Sequence, residues 1–239
     1  MIINYQKNGI RFNDKHSIDD WHLVTTDIKI GTPEIKTNYI DIPGSNGSLD
    51  LTEFNSEVNY HNREIEFTLF YEDEDYKGHS NSILMEQTLR SYLHGREMDV
   101  VLDSDKSFFW RGRTSVSNFE MYNGYALITI TLNAEPYKYD VTFNNDKWLW
   151  NPFDFETGII NITKYEINGT RTIELLNRSM PTSPVITASN AMKVKYKSTL
   201  YDVSKGTAKL YDIRLQEGSN ELTFIGNGTV EITYQGGVL

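Results

Sequence analysis

The stretch from Tyr39 to Phe70 constrains this chain more than any other. Ile40 and Ile42 lead into Pro43-Gly44-Ser45-Asn46-Gly47, and Leu49 and Leu51 lead out of it. Proline presets φ for one turn position and glycine accepts the positive φ of the next. Apolar residues two apart on both arms then predict an antiparallel reversal. Tyr60-His61-Asn62-Arg63 follows, and Ile65, Phe67 and Leu69 alternate with Glu64, Glu66 and Thr68 as in a half-buried strand. A chain that carries such a device, and repeats period-two alternation along most of its length, is a β protein.

The pattern predicts further strands at Ile10–Phe12, Trp21–Val24, Ile28–Ile30, Met98–Leu102, Phe108–Val116 and Tyr125–Asn133. One helix is expected over about 81–95, since Met85, Leu89, Tyr92 and Leu93 share a face, Ser80, Asn81 and Ser82 offer caps, and Gly95 offers a stop. Glu135-Pro136-Tyr137 closes this first unit, because proline cannot donate to a ladder. The predicted domains are therefore 1–138 and 139–239. In the second, short β-rich runs at Arg171–Leu176, Val185–Ala188, Met192–Tyr196, Ala208–Tyr211, Glu221–Phe224 and Thr229–Tyr234 are separated by Asn168-Gly169, Lys205-Gly206, Glu217-Gly218 and Asn227-Gly228, read as turns. That spacing predicts an antiparallel β-sandwich of jelly-roll type.

Charge divides unevenly. Residues 1–139 hold 13 basic and 22 acidic side chains, and residues 140–239 hold 10 and 11. An acidic first half lacks the basic footprint of a sequence-specific nucleic-acid binder. The chain has no cysteine, which excludes disulfides, thiolate metal sites and a thiol nucleophile. Its first residues do not form a signal peptide, and no apolar run reaches the length of a membrane span.

No motif in the chain points to catalysis. The histidines at 16, 22, 61, 79 and 94 lack metal-ligand spacing, and no nucleophile elbow or phosphate-binding glycine loop is present. Glu72-Asp73-Glu74-Asp75 lacks the spacing of a calcium loop and reads as a solvated acidic loop. Arg111 and Arg113 fall on one side of a strand and, in an acidic domain, are expected to pair with carboxylates. No cofactor, metal or catalytic residue is expected. Trp148 and Trp150 carry the alternative reading: side by side on a strand face they can stack on sugar rings, as in a module that binds a host cell-wall glycan, or they can be core.

The run Ile42-Pro43-Gly44-Ser45-Asn46-Gly47-Ser48-Leu49-Asp50-Leu51-Thr52-Glu53, followed by Tyr60-His61-Asn62-Arg63, resembles the N-terminal domain of the siphophage distal tail protein (Dit) family. Leu93-His94-Gly95, the turn at Asp103–Asp105 and Trp110-Arg111-Gly112-Arg113 follow in the family's order, with Ser45 standing where the family usually carries a basic residue. Asn168-Gly169-Thr170-Arg171, the run from Asn177 to Val185 and Tyr234-Gln235-Gly236-Gly237 are similar to its galectin-like C-terminal domain.

The resemblance implies a mainly β fold with one helix: an N-terminal α+β ring domain of the tail-tube type and a galectin-like antiparallel β-sandwich. It implies a non-enzymatic virion protein, made in the host cytoplasm and placed at the distal tip of a long non-contractile tail. There it forms a homohexameric hub ring that joins the major tail tube protein to the baseplate and tail-associated lysin and lets DNA pass. It assigns the shaping of that ring to Pro43, Gly44, Gly47, Leu49, Asp50, Leu51, Tyr60 and Arg63.

Overall fold

Alternating apolar positions build two separate β cores. The structure, a computed structural model, describes residues 8–54, 57–73, 79–141 and 164–239. The chain divides into a unit of Met1–Lys138 and a unit of Tyr139–Leu239. No described helix is long and apolar enough to cross a membrane.

The first unit contains β1 (Ile10–Phe12), β2 (Lys15–His16), α1 (Ser17–Trp21), β3 (Leu23–Ile30), β4 (Tyr39–Asp41), β5 (Ser48–Asp50), β6 (Arg63–Glu72), α2 (Ser80–Leu93), β7 (Glu97–Leu102), β8 (Asp105–Tyr122) and β9 (Tyr125–Ala134). Its main sheet runs β2-β1-β7-β8-β9-β6-β3, antiparallel throughout. The register sets Ile65 opposite Leu132, Phe67 opposite Ile130 and Leu69 opposite Ile128, so these apolar positions lie on one face. That face is fully buried, and Leu89 and Leu93 of α2 join the same core with Met85 and Tyr92 half-buried beside them. Phe12 meets Phe67 edge to face at 6.0 Å and Trp21 at 6.2 Å, and Trp21 meets Tyr92 at 5.4 Å. The opposite face carries Glu64, Glu66, Thr68, Thr129 and Thr131, with Phe70, Leu127 and Tyr125 at one end.

Three local details depart from the sequence-based expectation. Trp21 ends a five-residue helix instead of starting a strand, capped by His16 Nδ1, which accepts the Asp19 amide at 3.3 Å. The caps expected from Ser80, Asn81 or Ser82 are replaced by Asp73, a buried carboxylate at the far end of β6. Asp73 accepts the Ser82 amide at 3.1 Å and the Asn81 side chain at 3.2 Å. A negative charge at a helix N-terminus also complements the macrodipole. Arg111 forks onto Asp99 at 2.7 and 2.8 Å while Arg113 donates to the Gly95 carbonyl at 2.5 Å. Gly112 between them is required by space, because a Cβ there would lie 2.3 Å from the Asn133 carbonyl oxygen.

β10 (Lys138–Asp140) crosses the division between units. The second unit then contains β11 (Lys164–Asn177), β12 (Val185–Ala188), β13 (Met192–Tyr196), β14 (Thr199–Val203), β15 (Gly206–Lys209), β16 (Gly218–Thr233) and β17 (Gly237–Val238). Strands expected at Glu221–Phe224 and Thr229–Tyr234 are one strand, β16, and it pairs with β11 along all fourteen residues. On its other edge β13 takes Leu222–Ile225 and β12 takes Val230–Thr233, so the sheet forks in between. Both halves feed a single core, with Phe224, Leu222 and Val194 from one and Val230, Ile232 and Ile186 from the other. One continuous sheet thus creases into a β-sandwich.

The crease explains the glycines. Asn168-Gly169 and Asn227-Gly228 lie inside paired strands and are not turns. Gly226 and Gly228 have φ of +149° and +142°. A Cβ on Gly226 would come within 2.7 Å of the Met192 Cβ, and one on Gly228 within 2.4 Å of the Ser189 Oγ. Glycine lets the strand bend where the β12–β13 connection packs against it. At the start of this unit Asp140, buried, receives the Arg178 guanidinium at 2.7 Å, and its amide donates to the Gly236 carbonyl at 3.4 Å.

Candidate functional site

The segment from Glu34 to His61 forms an arm with its own ladder. At the base Ile35 bridges Tyr60, the His61 amide donates to the Glu34 carbonyl at 2.7 Å, and the Lys36 amide donates to the Asn59 carbonyl at 2.8 Å. Further out the Leu51 amide donates to the Asn38 carbonyl at 2.8 Å. β4 and β5 pair next, with Tyr39 opposite Asp50, Ile40 opposite Leu49 and Asp41 opposite Ser48. At the tip the Ser45 amide donates to the Ile42 carbonyl at 3.1 Å. Pro43 and Gly44 are the central residues of that turn, and the φ of +81° at Gly44 is the reason a glycine stands there. Gly47 follows at +77°.

Side chains tie the ladder together. The Ser48 hydroxyl donates to Asp41, and Asp50 accepts the Thr52 amide at 2.9 Å. The Thr52 hydroxyl and amide hold the Asp50 carboxyl below its ordinary range.

Among the described residues nothing covers the arm. Every residue of β4 and β5 is exposed. Tyr39 is 59% exposed and Phe54 78%, and Ile35, Ile40, Ile42 and Leu49 are each near half. Ile35, Tyr39, Leu51, Phe54 and Val58 line an open depression of about 580 Å³. An isolated two-stranded hairpin is marginal in water, and a contiguous apolar surface of this kind marks an interaction site.

The base is different. Tyr60 meets Tyr137 edge to face at 6.0 Å. Arg63 is only 8% exposed and donates to the Pro136 carbonyl. Among the described residues its Nε has no hydrogen-bond partner, and burial lowers the pKa of the guanidinium. Arg63 therefore ties the root of the arm to the end of the first unit. Pro43, Gly44, Gly47, Leu49, Asp50 and Leu51 all lie on the arm, and Tyr60 and Arg63 lie at its root. Trp148 and Trp150 lie outside the described residues. Sequence reasoning missed Phe54 and Ile35; the signal was an isolated apolar residue in a polar context, Thr52-Glu53-Phe54-Asn55.

The described histidine–carboxylate contacts serve the fold. His16 Nε2 lies 3.2 Å from Asp103, whose other task is to accept the Gly9 amide at 3.0 Å, and the neighbouring Ser17 hydroxyl accepts the Ile10 amide at 3.0 Å. Among the described residues no three His, Asp or Glu groups converge as a metal site would require.

No family model matches the chain, and no curated protein matches it. Among solved structures it shares its fold with a phage protein. That structure is the SPP1 Dit (gp 19.1) protein, described as a paradigm of the hub adsorption apparatus in phages that infect Gram-positive hosts. The TM-score is 0.60 at 12% identity, over 97% of this chain and 99% of that one. The likeness therefore extends through both units, and at this identity it is a likeness of fold.

Proposed function

We infer that this chain is a distal tail protein of the Dit type, a structural component of a long non-contractile phage or prophage tail. Six copies would close into a hub ring between the major tail tube protein and the baseplate or tail-associated lysin, at the distal tip of the virion. DNA would pass through the ring without sequence-specific contact. The acidic balance of residues 1–139 supports that role, because like charge repels phosphate.

The observation that carries the reading is the uncovered arm. A ring closes through heterologous contacts, in which one surface of each copy meets a different surface of the next. The arm is such a one-sided surface: six large apolar side chains, Ile35, Tyr39, Ile40, Ile42, Leu49 and Phe54, stand exposed on a pre-ordered hairpin. Covering them would contribute on the order of 1 kcal/mol each before association costs.

Light scattering on a size-exclusion column, with electron microscopy of the peak, tests this directly. The native chain, alone or mixed with its tube and lysin neighbours, should form rings of six. A Leu49→Asp, Phe54→Asp double variant should keep its melting temperature and lose the rings. Rings that survive this variant, or a native chain that stays monomeric with every neighbour present, would overturn the assignment.

A further inference from the structure

The chain contains five Asn-Gly pairs, at 8–9, 46–47, 123–124, 168–169 and 227–228. Asparagine followed by glycine is chemically labile, since no side chain shields the glycine nitrogen from the preceding carboxamide. We propose that the fold exposes one of these pairs, Asn46-Gly47 at the tip of the arm, as a self-modification site where asparagine converts to aspartate and isoaspartate, and protects the other four.

The step needs only water. The Gly47 nitrogen gives its proton to solvent base and attacks Cγ of Asn46. A C–N bond forms, the Cγ–Nδ2 bond breaks and ammonia leaves, closing a five-membered imide. One water then opens either imide carbonyl, leaving aspartate or isoaspartate at position 46. The reaction requires a free glycine N–H, a free carboxamide and a backbone able to rotate the two together.

Only Asn46-Gly47 meets all three requirements. Both residues are exposed, and a Cβ built on Gly47 would meet nothing within 4 Å. Neither the Asn46 carboxamide nor the Gly47 N–H makes a hydrogen bond among the described residues, and the six-residue connection between Asp41 and Ser48 is held by a single backbone bond, Ser45 to Ile42.

Three of the other pairs have an engaged glycine amide or carboxamide, and the fourth, Asn123-Gly124, is held in a tight turn that opposes the rotation. The Gly9 amide donates to the Asp103 carboxylate at 3.0 Å, which disfavours loss of its proton, and the His16 ring crowds Gly9. The Gly169 amide donates to the Asn227 Oδ1 at 3.0 Å, so one contact occupies the nucleophile of one pair and the carboxamide of another. Asn168 and Asn227 also face each other inside the fourteen-residue ladder. Asn123-Gly124 forms the two-residue turn between Tyr122 and Tyr125, whose rings stack at 4.7 Å, and the Gly124 carbonyl accepts the Asp73 amide at 2.9 Å.

Conversion at the tip adds a negative charge and, in isoaspartate, an extra backbone atom within the turn region. If the arm holds the ring, as proposed above, age at this one residue would lower assembly competence.

The test is peptide mapping by mass spectrometry after incubating the folded full chain in mildly alkaline buffer, with a parallel sample in denaturant. Each converted asparagine gains about one mass unit. In the folded sample Asn46 should convert roughly tenfold or more faster than each of the other four, a barrier difference of at least about 1.4 kcal/mol. In denaturant the five rates should converge, and Asn46→Gln should remove the dominant folded-state product. Equal rates in the folded sample, another pair in the lead, or the same ranking in both samples would overturn the proposal. Ring formation by fresh and aged protein is read separately, so the chemistry and the role of the arm can fail independently.

Discussion

The arm and the β11–β16 ladder are built from the same materials and end differently. Both are antiparallel ladders with apolar residues two apart and Asn-Gly pairs. In the β11–β16 ladder the apolar set closes over itself, with Leu222, Phe224, Val230 and Ile232 almost fully buried. In the arm the equivalent set is exposed. The difference lies in what the strands fold against. β16 bends at Gly226 and Gly228 and brings its two halves into one core, whereas among the described strands β4 and β5 pair only with each other. Local pattern is thus sufficient to form a hairpin, and burial depends on whether a second layer exists. For the arm, no described residue supplies that layer.

Substitutions should separate the two regions by size of effect. Phe224→Ala should cost about 3–5 kcal/mol, as large-to-small changes in filled cores do. Phe54→Ala should leave the isolated chain within about 0.5 kcal/mol of the parent. Denaturant melts of both variants check the contrast, and a comparable loss from Phe54→Ala would show that the arm is already packed within one chain.

Glycine changes sharpen the same point with a smaller span. Gly226→Ala should destabilise by about 2–3 kcal/mol, because it meets both Met192 and an unfavourable φ. Gly47→Ala meets open space and should cost about 1 kcal/mol for its positive φ alone. Gly44→Val or Gly47→Val should nonetheless impair ring formation more than any single histidine change, such as His61→Ala. Equal assembly by the two sets would refute the role of the tip.

Asp73→Ala removes a cap that neither region shares, and should lower stability by about 1–2 kcal/mol with fraying at the start of α2, visible in amide exchange.

The smallest effect is one of pH. Burial, followed by the hydrogen bond to Asp14, raises the Tyr92 hydroxyl from 10.0 to about 12. The hydrogen bond from Tyr92 is the main cause that lowers the Asp14 carboxyl. Above pH 10 the unfolded chain releases the tyrosine proton while the folded chain keeps it, so this contribution is full below 10 and is lost by about 12. The Asp14 contribution runs the other way: it is present above the ordinary carboxylate range and is lost as pH falls through the lowered value. Tyr92→Phe should flatten both limbs of the pH–stability curve of the first unit and leave the β11–β16 sandwich unaffected. A change in the second unit would sink this assignment.

Much of the architecture was legible in the residue pattern. The alternation of Ile65, Phe67 and Leu69 and of Ile128, Ile130 and Leu132 specified two core strands, and Met85, Leu89, Tyr92 and Leu93 specified the buried side of α2. Pro43-Gly44 specified the turn at the tip of the arm, because a proline φ and a positive glycine φ are local constraints. Other features were not legible, for a common physical reason. Asn227-Gly228 signals unusual backbone geometry, but whether the chain reverses or only creases depends on what packs there, and Met192 and Ser189 come from elsewhere in the sequence. The α2 cap comes from Asp73 because a free helix end accepts a carboxylate from any segment that reaches it. Trp21 lies in a helix because Phe12 and Tyr92 hold it there. Period and turn chemistry are properties of neighbours along the chain, so the sequence alone decides them. Whether a patterned face is covered is a property of neighbours in space. Only the tertiary structure could show that the residues around Pro43-Gly44 form an exposed arm rather than part of a core.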